Sequence, residues 1–501
     1  MGHTPWRHIG AALLINLACS TWAQNETDAL RFSTLSEGGT ARSNGMANAF
    51  GALGADPVAV AINPAGLGLY RTSEISFTPS LEVNTAHSRY NGTLATDQKA
   101  RFNFSNLALI LNSPAEQAGS DWRSSTFGVI FNRQATHHWG RQALADGVRT
   151  SILDDLAEKA EGTLASDLYD TYGFDAGLAY DTYAIDPVDP ADTLGRSYVP
   201  ALPAGALVDQ SITIDARGAT NNTAFFYSGN YMDRLYLGMS LGIVGYRYKH
   251  TRIHTETVPD ASIDLKELRY REELSIAGNG VELKAGVIYR FHDRFRAGLA
   301  FHGPMWTTMN DAYNTSMNTT FRTPSATDGR TTYSSSSPDG VFAYKLASPF
   351  RAVVSAAYIV GQHGLVSVDY TYADHTTMRF RPGSRLDDSY TFTAENEVIR
   401  KVFRPTHSVR AGTEWRSGAW YFRLGWGFVP DAYRIDDVMH AQATRTYAGG
   451  LGYRTDHLSV DLGANYIESH SNHFPYDPAF AGLVREERNT LRTLLTIAIR
   501  P

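Results

Sequence analysis

From Ser73 to its end the chain is written in period two, with apolar residues alternating with polar, charged or glycine residues. Leu458, Val460, Leu462, Ala464 and Tyr466 share one face of such a segment, and Ser459, Asp461, Gly463 and Asn465 share the other. At 420–428, Trp420, Phe422, Leu424, Trp426 and Phe428 oppose Tyr421, Arg423, Gly425 and Gly427. Fourteen strands follow from this pattern, at 73–84, 101–112, 124–134, 222–232, 235–250, 265–291, 294–304, 344–360, 363–379, 404–416, 419–429, 443–455, 457–470 and 488–500. Connections after even strands are short, such as Asp233-Arg234, His292-Asp293 and Ser417-Gly418, whereas those after odd strands are all long, so the two kinds alternate without exception. Tight turns on one side of a membrane and extended loops on the other have that consequence. A soluble sandwich or propeller predicts neither the alternation nor an apolar stripe on every strand, and closure removes the edges of so long a sheet. The expected fold is all-β: a fourteen-stranded antiparallel transmembrane β-barrel over 73–501, a monomer with both termini in the periplasm.

Composition agrees. Mean hydropathy is -0.28, and beyond the first 24 residues nothing is apolar for the ~18 residues a membrane helix needs. A barrel tolerates this because only alternate residues meet lipid. Residues 1–24 read as a signal peptide, with Arg7, an apolar run from Ile9 to Cys19 and small residues around Ala23; acylation at Cys19 is the rival reading. Cys19 is the sole cysteine, so the exported chain would have neither disulfides nor cysteine metal sites. The net charge of -6 argues against nucleic acid as a partner.

Residues 38–70, GGTARSNGMANAFGALGADPVAVAINPAGLGLY, hold no sustained period. So many glycines and alanines cannot bury enough apolar surface to fold alone, so the segment needs a container. Its portion GMANAFGALGADPVAVAINPAGLGLY resembles the N-terminal signature of the FadL/TodX family of outer-membrane transporters for long-chain fatty acids and hydrocarbons. Later strands, YKLASPFRAVVSAAYIVGQHGLVSVDYTYADH among them, are similar too. The resemblance implies passive uptake of a hydrophobic small molecule, fatty acids foremost, across the outer membrane of a Gram-negative bacterium. It implies a hatch over 25–72 held by Gly45, Asn63, Pro64, Ala65 and Gly66, and release through a lateral gap in the wall. Outer-membrane lipid and lipopolysaccharide are the expected surroundings. The alternative is a FadL-like barrel that docks secreted proteins or scaffolds an envelope complex.

Within the barrel, Asp369, Arg410, Glu414, Arg423 and Asp461 are expected to line the lumen, pairing with one another to tie down the hatch or holding an anionic head group. His470 with His473, and His137 with His138, have metal-like spacing but no third ligand, so no metal and no cofactor is assigned. No His-Glu-x-x-His and no P-loop is present, so the chain is read as not an enzyme. The aromatics are assigned to interfacial girdles. In the long loop, 135–221, a helix is expected from about Arg141 to Tyr169, where Leu144, Val148, Ile152, Leu156 and Leu164 recur at helical spacing.

Overall fold

The computed structural model describes residues 25–34, 38–115, 119–189, 195–383 and 390–501; the signal-peptide reading of 1–24 lies outside them. The wall is a closed antiparallel barrel of fourteen strands. We number them β1 (Glu74–Tyr90), β2 (Thr93–Pro114), β3 (Trp122–Thr136, continued by Trp139–Val148), β4 (Val208–Tyr231), β5 (Leu235–Thr257), β6 (Leu265–His292) and β7 (Phe295–His302, continued by Trp306–Phe321). The second half is β8 (Gly340–Ala347, continued by Arg351–Val360), β9 (Gly364–Asp374), β10 (Pro405–Ser417), β11 (Trp420–Val429), β12 (Thr444–Arg454), β13 (Leu458–His473) and β14 (Val484–Ile499). Closure is made by β14 against β1, with Ile75 opposite Ile499.

The alternation places each side chain. Leu424, Leu283, Phe301 and Leu462 on the outer face are half exposed or more, forming an apolar belt. Their inward neighbours Arg423, Glu282, Lys284 and Asp461 are buried. A closed barrel with such a belt and a polar interior is an outer-membrane barrel.

Three expectations are corrected. The strands run further beyond the belt than their apolar stripes, so β1 and β2 meet in a two-residue turn, and the alternation of short and long connections has an exception. Asn91 (φ 44°) and Gly92 (φ 90°) form that turn, the Asn-Gly pair that suits a tight hairpin. The longest outer loop shrinks accordingly from 135–221 to 149–207. Its helix does not begin near Arg141, because residues 139–148 are strand, paired with β4 from Trp139↔Ala216 to Val148↔Val208. The helix α4 covers Ile152–Ala160. Ser151 caps it, accepting the Leu153 N–H at 3.0 Å, while Asp154 accepts the Ser151 N–H at 2.8 Å. Leu153, Leu156 and Ala160 pack with Leu268, Tyr270 and Met317 from the outer ends of β6 and β7, so the loop is seated on the rim.

Candidate functional site: the plugged lumen and the break in the wall

Residues 38–70 lie inside the barrel, and nearly all of them are buried. They form short turns, the helices Ala41–Asn44 and Ala59–Ile62, and a 3₁₀ helix at Pro64–Leu69. Asn63 organises the last of these. Its Oδ1 accepts the Ala65 N–H at 3.2 Å, and its Nδ2 donates to Gly51 O within the segment at 2.8 Å and to Val287 O on β6 at 3.2 Å. Pro64 follows as the first residue of the 3₁₀ helix, where it needs no N–H.

The wall is shaped to receive this plug. At Gly238 of β5 a Cβ would lie 2.4 Å from the backbone of Pro64 and Ala65, and at Gly425 of β11 it would lie 2.3 Å from Met46 C. Gly45 lies against Gly450 of β12, and Gly66 packs on Gly54 within the plug. Polar inward side chains complete the seat: Asp369 accepts the Phe50 and Gly51 N–H groups at 2.8 and 2.9 Å, and Thr496 Oγ1 accepts the Ala41 N–H at 2.7 Å. Arg42 of the plug forms a two-pronged pair with Glu414, both bonds 2.9 Å. Glu414 also accepts Arg423 Nε at 2.6 Å, and Arg423 pairs with Asp461 at 2.7 Å.

Outward of the plug, rings from the wall and from a short N-terminal helix pack into an apolar cluster. Phe32, on the helix α1 (Glu26–Ser33), sits edge-on to Tyr246 and Tyr248, with ring centroids 5.6 and 6.1 Å apart. Met305, Met309, Tyr344 and Phe403 belong to the same buried cluster. Arg351 donates to Ser33 O at 2.8 Å and fixes the end of α1.

Beside the plug, the ladder between β2 and β3 is interrupted. β2 and β3 pair from Pro114↔Ser124 only as far as Asn106↔Asn132. Beyond that, the ladder of β2 is made with β1 alone, while β3 turns inward and packs Gly140 against Asp97 of β2: Asn84 of β1 donates to His138 O at 2.9 Å, Thr136 donates to Glu82, and Arg141 reaches Glu486 of β14. Two irregularities build the break. Pro79, which lacks an N–H, coincides with a shift in the β1–β2 register that leaves Ser105 as a bulge residue, and a second shift follows Arg133 in β3. Arg133 reaches across to Asn103 Oδ1 at 2.8 Å, and behind the break Gly39 O accepts the Ser105 hydroxyl at 3.0 Å. Phe102 and Phe104 stand exposed on the outer lip. Ile75, Leu107, Leu109, Val129 and Phe131 line an apolar hollow of about 440 Å³ directly below it.

Neither a protein-family model nor a curated protein matches the sequence. Solved structures do match in shape. Superposition on a Pseudomonas aeruginosa FadL homologue gives a TM-score of 0.53 at 12% identity, covering 93% of this chain and 98% of that one. The P. putida toluene transporter TodX gives 0.52 at 10% identity, covering 93% and 99%. The Ralstonia pickettii toluene transporter TbuX gives 0.50 at 13%, covering 93% and 98%. The chain has the FadL-type fold.

In this FadL-type barrel Glu414, Arg423 and Asp461 form one connected network with the plug's Arg42, a partner that strand periodicity could not reveal. Asp369 binds the plug through backbone amides, and Arg410 faces it across the β9–β10 register pair. Among the described residues neither histidine pair joins a group of three metal-ligating side chains; His137 is buried beside Tyr248, and His470 borders an outer cleft. The girdle assignment of the aromatics holds for Trp420 and Trp426 but not for Tyr246, Tyr248 or Tyr344, which are buried inside. Their even-numbered places on β5 and β8, in register with polar inward residues such as Ser240, were the available signal.

Proposed function

We propose that the protein is a channel for passive uptake of hydrophobic compounds through the outer membrane, with long-chain fatty acids as the first candidates. The observation that carries this is the break between β2 and β3, flanked by Phe102 and Phe104 and backed by the plug at Gly39. A lipophile gains nothing from an aqueous pore, but it can leave an apolar barrel interior sideways into lipid through such a break. The apolar ring cluster around Phe32 is the inner contact region for cargo, the segment over 38–70 is the hatch, and Asn63, Pro64 and Ala65 hold its last turn in place. The solved toluene transporters of the same fold support hydrophobic cargo as a class.

The test is uptake of labelled long-chain fatty acid, and in parallel of labelled toluene, by cells lacking their own transporter, with and without this chain. Saturable uptake of either probe is expected. Asn63→Ala is expected to lower it while the barrel remains folded and heat-modifiable, because the last turn of the hatch loses its bonds to Gly51 O and Val287 O. Normal uptake by the folded variant would refute the hatch role, and no uptake of either probe would refute the channel.

A further inference from the structure

We infer that the outer face of the barrel at β12–β14 and β1 carries a binding site for the phosphates of outer-leaflet lipopolysaccharide. Arg89 of β1 and Arg485 of β14 are direct cross-strand partners with outward side chains, and both are exposed. Arg485 in turn faces Asn472 of β13. Like charges directly opposite one another destabilise a strand pair unless an anion lies between them. Neither arginine, nor Arg445 on β12, forms an ion pair or side-chain hydrogen bond among the described residues.

These three arginines border one cleft of about 860 Å³, whose wall includes His87, His470 and the apolar Leu94 and Phe428. Glu468 stands directly opposite Arg445 and Glu487 lies two residues from Arg485 on the same face, so the pair with no carboxylate across the ladder is Arg89 and Arg485. Asp431 accepts from His440 and the Ala441 N–H, Glu486 faces inward to Arg141 and Arg488, and Glu487, between His87 and His470, accepts Asn489 Nδ2 at 3.0 Å.

The height of the cleft identifies the occupant. Trp426, Tyr447 and Tyr466 are exposed register neighbours across β11–β13, and we assign them to the outer aromatic girdle. Arg445 is two residues beyond Tyr447, and Arg485 lies opposite a residue six beyond Tyr466. At ~3.4 Å per residue and a strand tilt near 45°, the arginines span roughly 5 to 14 Å above the girdle. That is the layer holding the phosphates and inner sugars of a glycolipid whose acyl chains lie against the belt. Guanidinium forks suit phosphate oxygens, and Leu94 and Phe428 offer apolar contact beside them.

The test titrates the purified full-length barrel in detergent with diphosphoryl lipid A, dephosphorylated lipid A and inorganic phosphate, reading bound species by native mass spectrometry. Saturable binding of the diphosphoryl lipid is expected, with the dephosphorylated lipid and free phosphate each binding at least tenfold more weakly. Arg89→Gln and Arg485→Gln are each expected to weaken the lipid by about tenfold, the scale of one lost hydrogen bond to a charged group. Arg294→Gln, in the turn at the opposite end, is expected to leave it unchanged. Equal binding of the two lipids would overturn the site without reference to any variant. So would undiminished binding in both folded arginine variants, and free phosphate binding as tightly as the lipid would overturn the lipid assignment.

Discussion

Asn63 of the plug and Gly286 of β6 meet so closely that a methyl group at position 286 would lie 2.0 Å from the Asn63 Oδ1. The asparagine cannot swing away without giving up its bonds to Gly51 O, Val287 O and the Ala65 N–H. Gly286→Ala is therefore expected to cost about 1–3 kcal/mol, the usual scale of overpacking. The loss should be local, appearing as faster amide exchange over residues 63–69 with the strands unchanged. Exchange identical to wild type would mean that the plug does not rest on this contact.

The Arg42–Glu414–Arg423–Asp461 network predicts a larger effect. All four side chains are almost fully buried, and Glu414 serves two guanidinium groups at once. Glu414→Gln leaves both cations short of charge, and breaking a buried pair in this way costs about 3–5 kcal/mol. The plug around residues 41–56 should become accessible to protease, and the temperature at which the barrel unfolds in detergent should fall. Arg423→Lys is expected to behave similarly, because one ammonium cannot replace a fork that spans two carboxylates. An unchanged unfolding temperature in both variants would remove the network from the list of plug anchors.

The wall was legible in the sequence because lipid on one side and a polar lumen on the other force strict alternation, and Leu424 and Arg423 declare their faces to any reader of period two. The identity of contacts across the lumen was not. Arg42 lies 372 residues from Glu414, and no local pattern encodes that pairing. Nor does a glycine announce its purpose: Gly238, Gly286 and Gly425 look like weak strand positions until the plug backbone is seen against them. Alternation also hid where strands end, since residues 139–148 turn inward, lose their apolar stripe and acquire an accidental helical spacing. The Asn91-Gly92 turn and Pro79 were visible signals of the first hairpin and of the bulge at Ser105.

The rim loop provides a test independent of the lumen. Glu256 of β5 accepts the Ile152 N–H at 2.9 Å at the start of α4, and also Gln210 Nε2 at 2.9 Å and the Ser151 hydroxyl. A carboxylate in that position satisfies free amides and complements the helix dipole, an effect worth up to ~2 kcal/mol when partly buried. Glu256→Gln should therefore speed amide exchange over residues 152–160 by about tenfold or more. If protection there is unaffected, the loop is held by its apolar contacts with Leu268 and Tyr270 alone.

The break between β2 and β3 yields the most direct test of route. Ser105 is the bulge residue at its edge, buried, with its hydroxyl on Gly39 O. An indole at this position would crowd the plug at Gly39, beside the end of the β2–β3 ladder. Ser105→Trp is expected to reduce uptake several-fold while the barrel still assembles, and Phe102→Ala, on the outer lip, should not mimic it, since removing a ring there widens the exit. Uptake by the tryptophan variant equal to wild type would send the cargo elsewhere, straight down through a displaced plug. In that case Glu414→Gln, which frees the plug without touching the break, should raise uptake. If the lateral route is correct, loosening the plug should leave the blocked variant blocked, so the double substitution Ser105→Trp with Glu414→Gln separates the two paths in a single uptake measurement.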